Sequence, residues 1–349
     1  MGKTQKDYQA MLLPTDHPVI RDEKIGVLML NLGTPDATDY FSMRRYLSEF
    51  LSDQRVIDLP KYLWQPLLQG VILTSRPFRS GAAYRKIWNT DKNESPLKTY
   101  SRSLTGKIQD KFDNDNVIFE WGMRYGNPST KAGVQSLINQ GCRKILFFAA
   151  YPQYSAPTMA TAYDKCFDAL KTIKWQPNVK TASPYYDDDA YITVLADSIV
   201  NHLKTTGAKP EVILTSFHGV PKRYLLEGDP YHCMCCKTSR LVREKMGWNE
   251  DKWINTFQSR FGPAEWLQPY TDKTIEKLAH DGVKRMAIVS PAFAVDCIET
   301  LEELAMEGRD EFLKNGGEEY TYIPCLNDTD AHVNYLTNRI KHELSGWIK

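Results

Sequence analysis

Four runs of apolar residues recur along the chain, each ending on a small or polar turn. They are IGVLMLNLG (25–33), KILFFAAYP (144–152), EVILTSFHG (211–219) and RMAIVSPAF (285–293). Unbroken apolar runs of this length predict strands buried on both faces, as in a parallel sheet. Between them, apolar positions recur at helical spacing. STKAGVQSLINQG and TDKTIEKLAHDG each open on a capping Ser or Thr and close on Gly141 or Gly282 at the C′ position. The alternation predicts an α/β fold.

The two halves echo each other. VLMLNLGTP (27–35) resembles VILTSFHGVP (212–221), MRYGNP (123–128) resembles SRFGP (259–263), and GCRKILFF (141–148) resembles GVKRMAIV (282–289). The order is the same in both halves, and the offsets are 186, 136 and 141 residues. The first half therefore carries extra chain between its first strand and its MRYG turn. The pattern predicts a duplicated unit: two similar Rossmann-like domains, each an open parallel sheet flanked by helices. The expected divisions are an N-terminal arm (1–24), a first domain (25–175) with an insertion at about 50–100, a second domain (176–328) and a C-terminal helix (329–349).

Ligands of open α/β sheets gather at the carboxyl ends of the strands, and between two such domains the cleft is the natural site. The segments that matter are then NLGTPD, YPQYS, FHGVP and AFAVDCIET. No Gly-x-Gly-x-x-Gly follows the first strand and no Walker-type loop is present, so a nucleotide cofactor is not expected. The insertion, YLWQPLLQGVILTSRPFRSGAAYRKIW, mixes aromatics, aliphatics and arginines. It reads either as an amphipathic helix packed on its domain or as an apolar lip over the cleft. As a lip it would suit a large flat ligand or a membrane surface. Its arginines, Arg76, Arg79 and Arg85, would suit carboxylates on such a ligand.

Composition narrows the class without naming it. Of 349 residues, 42% are hydrophobic and 25% charged, the balance of a globular protein, and a net charge of +1 gives no nucleic-acid footprint. The first 18 residues hold no apolar core long enough for a signal peptide, and no apolar run approaches a membrane span. Seven cysteines, an odd number, read as reduced thiols in a cytoplasm rather than as a disulfide framework.

His218 ends a strand at the cleft mouth, where imidazole can act as a base or a metal ligand, or can hold the turn by bonding a backbone carbonyl. Glu299, Glu303 and Glu307 fall at i, i+4 and i+8 on a predicted α-helix. The row is either a solvated acidic face or a carboxylate path for a cation. The innermost, Glu299, is expected to have a pKa raised by burial and so to exchange protons. Arg124 and Tyr125 occupy the matching turn of the first half, either pairing the cleft's carboxylates or anchoring an anion. Cys233, Cys235 and Cys236, with His232 beside them, suggest metal but give C-x-C-C rather than two spaced pairs. They read as residues of a polar loop before a helix, or as ligands of a metal or iron–sulfur group.

Seven motifs, in order, resemble the ferrochelatases, enzymes that insert ferrous iron into protoporphyrin IX. They are NLGTPD, FLSDQRVIDLP, MRYGNP, YPQYS, SFHGVPKRYLLEGDPY, FQSRFGPAEWLQPYT and DCIETLEEL, spread over about residues 25 to 330. The resemblance implies the chelatase-like form of the fold and a lyase of heme and porphyrin biosynthesis, its terminal step. It implies that His218 is the metal-binding, proton-accepting histidine and Glu299 the catalytic glutamate, with Glu303 and Glu307 continuing the metal-binding acids. By the same resemblance Arg124, Tyr125 and Trp266 contact porphyrin, Ser95 lies near a propionate and Arg76 stands on the lip. Protoporphyrin IX and Fe²⁺ are the implied partners, Fe²⁺ being a substrate, so no resident cofactor is required. Some members carry a [2Fe-2S] cluster, for which Cys233, Cys235 and Cys236 are the internal candidates. The implied location is the cytoplasm, with peripheral contact to the inner face of the membrane through the lip.

Two positions depart from the family pattern: ESPL stands where GSPL is frequent, and Cys297 where His is frequent. The residue types suit the chemistry. Two pyrrole protons must leave and hydrated iron must shed water, which calls for a neutral imidazole and a carboxylate at adjoining strand ends. A pocket that holds the ring bent exposes its nitrogen lone pairs at the expense of binding energy from the apolar faces. Which of His218 and Glu299 takes protons and which guides iron stays open at this level. So do coproporphyrin as substrate, another metal, and a carrier without chemistry.

Overall fold

The computed structural model describes Asp16 and residues 23–114 and 116–348. Nearly all of the expected N-terminal arm, 1–24, lies outside the described residues. Two four-stranded parallel sheets form the frame. In the first, β1 (Lys24–Thr34), β2 (Val117–Gly126), β3 (Cys142–Ala149) and β4 (Asn178–Thr181) stand in the order β2-β1-β3-β4. In the second, β5 (Val212–His218), β6 (Trp253–Gln258), β7 (Arg285–Val289) and β8 (Glu319–Ile323) stand in the order β6-β5-β7-β8. The two orders are the same, as a duplicated unit requires. The four apolar runs became β1, β3, β5 and β7, the two inner strands of each sheet, where both faces are covered.

The helices are α1 (Tyr40–Leu51), α2 (Lys61–Leu67), α3 (Leu73–Ile87) and α4 (Pro96–Asp110), then α5 (Thr130–Asn139), α6 (Thr161–Leu170) and α7 (Asp189–Thr206). The second half adds α8 (Lys222–Leu226), α9 (Tyr231–Met246), α10 (Thr271–His280), α11 (Arg309–Lys314) and the C-terminal α12 (Asp330–Glu343). At α5, Ser129 caps as expected, its side chain accepting from the Ala132 amide. At α10 the expected Thr cap is absent. The N-cap is Tyr270, with no side-chain cap, and Thr271 turns inward to bond Ser216 and Thr256. Gly141 and Gly282 both adopt left-handed φ of +91°, so both helices end as read.

Two expectations shift. The first domain does not stop at 175, because Asn178–Thr181 pairs with β3 as the fourth strand of the first sheet. The second repeat also aligns differently. The Met123 amide donates to the Pro128 carbonyl and the Phe257 amide to the Pro269 carbonyl, so Pro128 corresponds to Pro269 rather than to Pro263. The second half simply carries a longer turn after β6. The halves are not separate bodies either. One core cluster runs from Val27, Leu146 and Phe148 of the first sheet through Tyr191 and Leu195 of α7 to Ile213, Ala287 and Val289 of the second.

The insertion packs apolar side chains on its domain and leaves others exposed. Leu68, Leu73 and Tyr84 are buried with Met43, Leu47 and Tyr125, while Tyr62, Leu63, Leu67, Val71 and Phe78 are exposed.

Candidate active site

His218 is the last residue of β5 and is half-buried. Its Nδ1 donates to the Gly219 carbonyl at 2.6 Å. That bond fixes the tautomer: the proton sits on Nδ1, and Nε2 keeps its lone pair for a proton or a metal ion. The two sequence readings of His218 are therefore compatible, since holding the turn is what frees the other nitrogen. Gly219 is required here by space, because a Cβ would stand 2.8 Å from the Gln258 carbonyl and 3.1 Å from the Trp266 ring.

Gln258, which sequence reasoning passed over, connects the two sides of the site. It pairs with His218 across β5 and β6. Its Oε1 accepts from Ser216 Oγ at 2.7 Å, and its Nε2 donates to the Glu299 carbonyl at 2.8 Å and to Glu303 Oε2 at 3.2 Å. It stood in the FQSRFGP motif, but a Gln in a strand carries no chemical signal of its own.

The acidic row is not on an α-helix. Residues Glu299–Gly308 form a π-helix, closed by i→i+5 bonds, a form frequent at functional sites. Tyr320 OH donates to the Leu304 carbonyl inside it at 2.7 Å. The acids still lead outward: Glu299 and Glu303 are half-buried and Glu307 is exposed. The Glu303 carboxyl is pushed up to about 7. Burial is the main cause and the nearby Glu299 charge the next, partly offset by bonds from Ser259 and Gln258. Glu307 is also raised, by partial burial and by the Glu302 charge. Glu302, unremarked in the sequence, is buried and receives Lys86 of α3 at 2.5 Å, which ties the insertion to the acidic helix.

The turn before Glu299 is held from behind. Asp296, 3% exposed, accepts from Asn327 Nδ2 at 2.6 Å, Tyr322 OH at 2.5 Å, Thr300 Oγ1 at 3.1 Å and the Cys325 amide at 3.2 Å. Cys297 is buried, and its thiol is pushed well up by burial first and then by the Glu299 carboxylate, to which it hydrogen-bonds. The first half supplies two buried phenols, Tyr46 and Tyr84. Burial raises both, and the Glu299 charge adds to each, so both stand within its field.

Trp266 is buried beside Gly219, and its Nε1 has no hydrogen-bond partner. Phe261 lies against it at 5.0 Å between ring centroids, and Arg76 of the insertion sits over Phe261 at 5.7 Å. Burial first, and then Arg79, lower the Arg76 pKa. The expected lip arginine and pocket tryptophan thus belong to one wall.

Three assignments meet a different environment. Tyr125 has no exposed surface, and its hydroxyl donates to Asp53 at 2.8 Å. Arg124 pairs with the same carboxylate and donates to Thr161 Oγ1 at 2.6 Å. Arg124 lines a polar depression of 880 Å³ along α1, with Arg44, Arg45, Arg55 and Lys61, to which neither His218 nor Glu299 contributes. Ser95, 1% exposed, caps α4 by accepting from the Lys98 amide at 3.2 Å. The neighbouring departure from the family pattern, Glu94, is buried and held by Arg102 at 2.9 Å and Thr99 at 2.8 Å. A glycine there could make neither bond.

The cysteines are not in a loop. The helix α9 begins at Tyr231, so Cys233, Cys235 and Cys236 lie in its first turns and point in different directions. Cys235 is in the core, Cys233 is exposed and Cys236 lies between. Among the described residues, no three His, Cys, Asp or Glu side chains already converge as a metal-ion site.

Comparison with known proteins places the chain in a family. The Ferrochelatase family model matches residues 24–344. A ferrochelatase of Allorhizobium ampelinum is 53% identical over 337 residues, covering 96% of this chain and 98% of that protein. One of Agrobacterium fabrum is 53% identical over 338 residues, with 96% and 98% covered. Among solved structures, SirB from Bacillus subtilis with Fe³⁺ superposes with a TM-score of 0.57 at 10% identity, covering 93% of this chain and 97% of that one. A sirohydrochlorin chelatase SirB in complex with cobalt, from the same species, gives 0.53 at 9% identity, covering 92% and 95%. At such identities these two speak for the fold alone. The sequence relatives speak for more: matched along nearly its whole length, this chain belongs to the ferrochelatase family.

Proposed function

We propose that the chain inserts Fe²⁺ into protoporphyrin IX to give protoheme, releasing two protons, and that His218 and Glu299 carry the reaction. The observation that carries this reading is the 2.6 Å bond from His218 Nδ1 to the Gly219 carbonyl. It holds the ring so that Nε2 stands at the strand end, one paired residue away from the Gln258 that holds the Glu299 backbone. Nε2 takes a pyrrole proton, while Glu299 meets the metal ion from the carboxylate side. Each pyrrole N–H bond breaks toward a protein base as a metal–nitrogen bond forms, so charge balances at the ring. Glu303, with its raised pKa, takes and passes protons near neutral pH, and Glu307 delivers them to solvent. The wall of buried Trp266, exposed Phe261 and half-buried Arg76 suits one face of the macrocycle and a propionate at its edge. Arg124 and Tyr125 serve by shaping the first domain's side, through Asp53, and Ser95 by ordering α4. No resident cofactor enters these steps.

The test is anaerobic turnover with Fe²⁺, comparing protoporphyrin with coproporphyrin. Protoporphyrin is expected to be the faster substrate. Faster turnover of coproporphyrin would overturn the substrate assignment, and binding without turnover would make the chain a carrier. The exposed Tyr62, Leu63, Val71 and Phe78 support a second reading, a cytoplasmic protein resting on the inner face of the membrane through its lip. Among the described residues no helix is long and apolar enough to cross a membrane. Sedimentation with anionic lipid vesicles tests it. Leu63→Glu with Phe78→Glu should release the protein, and unchanged binding would refute the lip as the contact.

A further inference from the structure

The HCMCC segment carries a feature that iron insertion does not use. In the first turns of α9, His232 and Cys236 stand four residues apart on one face. The Nε2 of His232 and the Sγ of Cys236 face each other at 3.8 Å. Two ligands of one tetrahedral ion, with bonds of about 2.0 Å to nitrogen and 2.3 Å to sulfur, stand about 3.6 Å apart. The pair is therefore already spaced for a shared metal ion. Both side chains are also held in place. The His232 ring stacks on Phe257 at 5.6 Å and 21°, and Asn255 Nδ2 donates to Cys236 Sγ at 3.5 Å, the kind of outer bond that steadies a thiolate ligand. Both residues are half-buried, so an ion reaches them from solvent.

The pair is apart from the insertion centre. Side chains of β5 alternate between faces. Thr215 bonds Ser239 of α9 at 2.7 Å, while Ser216 faces Gln258 and Thr271. Helix α9 thus covers one face of the second sheet, and the acidic helix and α10 lie toward the other. Cys235 points into the core with Tyr231 and Phe217, which removes it from any ligand set. Cys233, exposed and one turn before Cys236, is within reach after side-chain rotation.

We propose that His232 and Cys236 form a second, open binding site for a borderline divalent d-block ion of the Zn²⁺ or Fe²⁺ class. One imidazole nitrogen and one thiolate bind it, and water fills the remaining positions. Binding releases the Cys236 thiol proton to solvent, so the site fills better as pH rises. Two protein ligands make it exchangeable rather than structural.

Anaerobic titration with Co²⁺ tests the site, because a thiolate ligand adds a sulfur-to-cobalt charge-transfer band that carboxylate and imidazole do not. The wild-type chain is expected to show that band, saturating at one equivalent. Cys236→Ser should abolish it, and His232→Ala should weaken binding by about tenfold or more. His218→Ala and Cys297→Ser, which alter the insertion centre, should leave it intact. Absence of the band in the wild type, its survival in Cys236→Ser, or its loss in Cys297→Ser would each overturn the proposal. Circular dichroism confirms folding of Cys236→Ser, and His232→Ala gives an independent reading if that variant misfolds.

Discussion

The two halves of the molecule share a strand order and put it to different uses. Paired registers make Leu32 of β1 the counterpart of His218, and Arg124 of β2 the counterpart of Gln258. Both halves also enter the helix after their third strand through a π-turn, Ala156–Ala160 in the first and Glu299–Gly308 in the second. In each half a residue near the end of the second strand reaches this region: Arg124 bonds Thr161, just after the first π-turn, and Gln258 bonds Glu299 and Glu303 within the second. In the first half a carboxylate, Asp53, closes the arrangement by pairing with Arg124. In the second half a neutral amide takes the arginine's place. No cation then meets the carboxylates from that position, and Glu303 is pushed up to about 7, by burial first.

The comparison breaks most visibly at the strand ends. His218→Ala should reduce metalloporphyrin formation by roughly 100-fold or more while porphyrin still binds, whereas Leu32→Ala should change turnover only a few-fold. Comparable losses in the two variants, measured as initial rates, would mean the halves share the chemistry. Next, Glu299→Gln should lower kcat by about 100-fold and Glu307→Gln by less than about threefold. Equal effects would reduce the row to a solvated face.

The first half should fail through stability instead. Burial works against the charged form of Asp53, but Thr161, the Arg55 amide, Tyr125 and Arg124 outweigh it and hold its carboxyl below the usual range. Asp53→Asn leaves Arg124 without its charge partner and should cost about 3 kcal/mol in denaturant unfolding. Turnover by the folded fraction should change far less.

The smallest effect is a pH profile. With Glu303 pushed up to about 7, proton acceptance needs its ionised form, so wild-type kcat should rise as pH passes through that value. Glu303→Gln should flatten the rise. The stability sign is opposite. A raised carboxyl favours the folded state below its ordinary value of 4.5 and loses that contribution as pH climbs toward about 7. Glu303→Gln should therefore lose less stability than wild type over that window, and parallel stability curves would show that Glu303 is not shifted.

Much of this was legible in the sequence because the signals are local. Apolar runs buried on both faces fixed the inner strands of each sheet, and repeated Gly and Pro turns fixed their relation. His218 and Glu299 stood out as titratable groups just past strand ends. The sequence by itself determined the duplicated frame, the strand ends and the family. Only the tertiary structure decided how those groups work. Gln258 is ordinary until β5 and β6 pair, and the bond from Tyr125 to Asp53 exists only once packing brings them together. The Glu303 carboxyl is pushed up because desolvation depends on what surrounds it in the folded chain. The HCMCC segment read as a loop because its cysteines and histidine carry weak helix propensity. Its turn formed anyway, since Tyr231 and Cys235 bury against Phe217 and Phe257. Periodicity and turn chemistry travel along the chain, but charge, burial and spacing between distant residues exist only once the chain has folded.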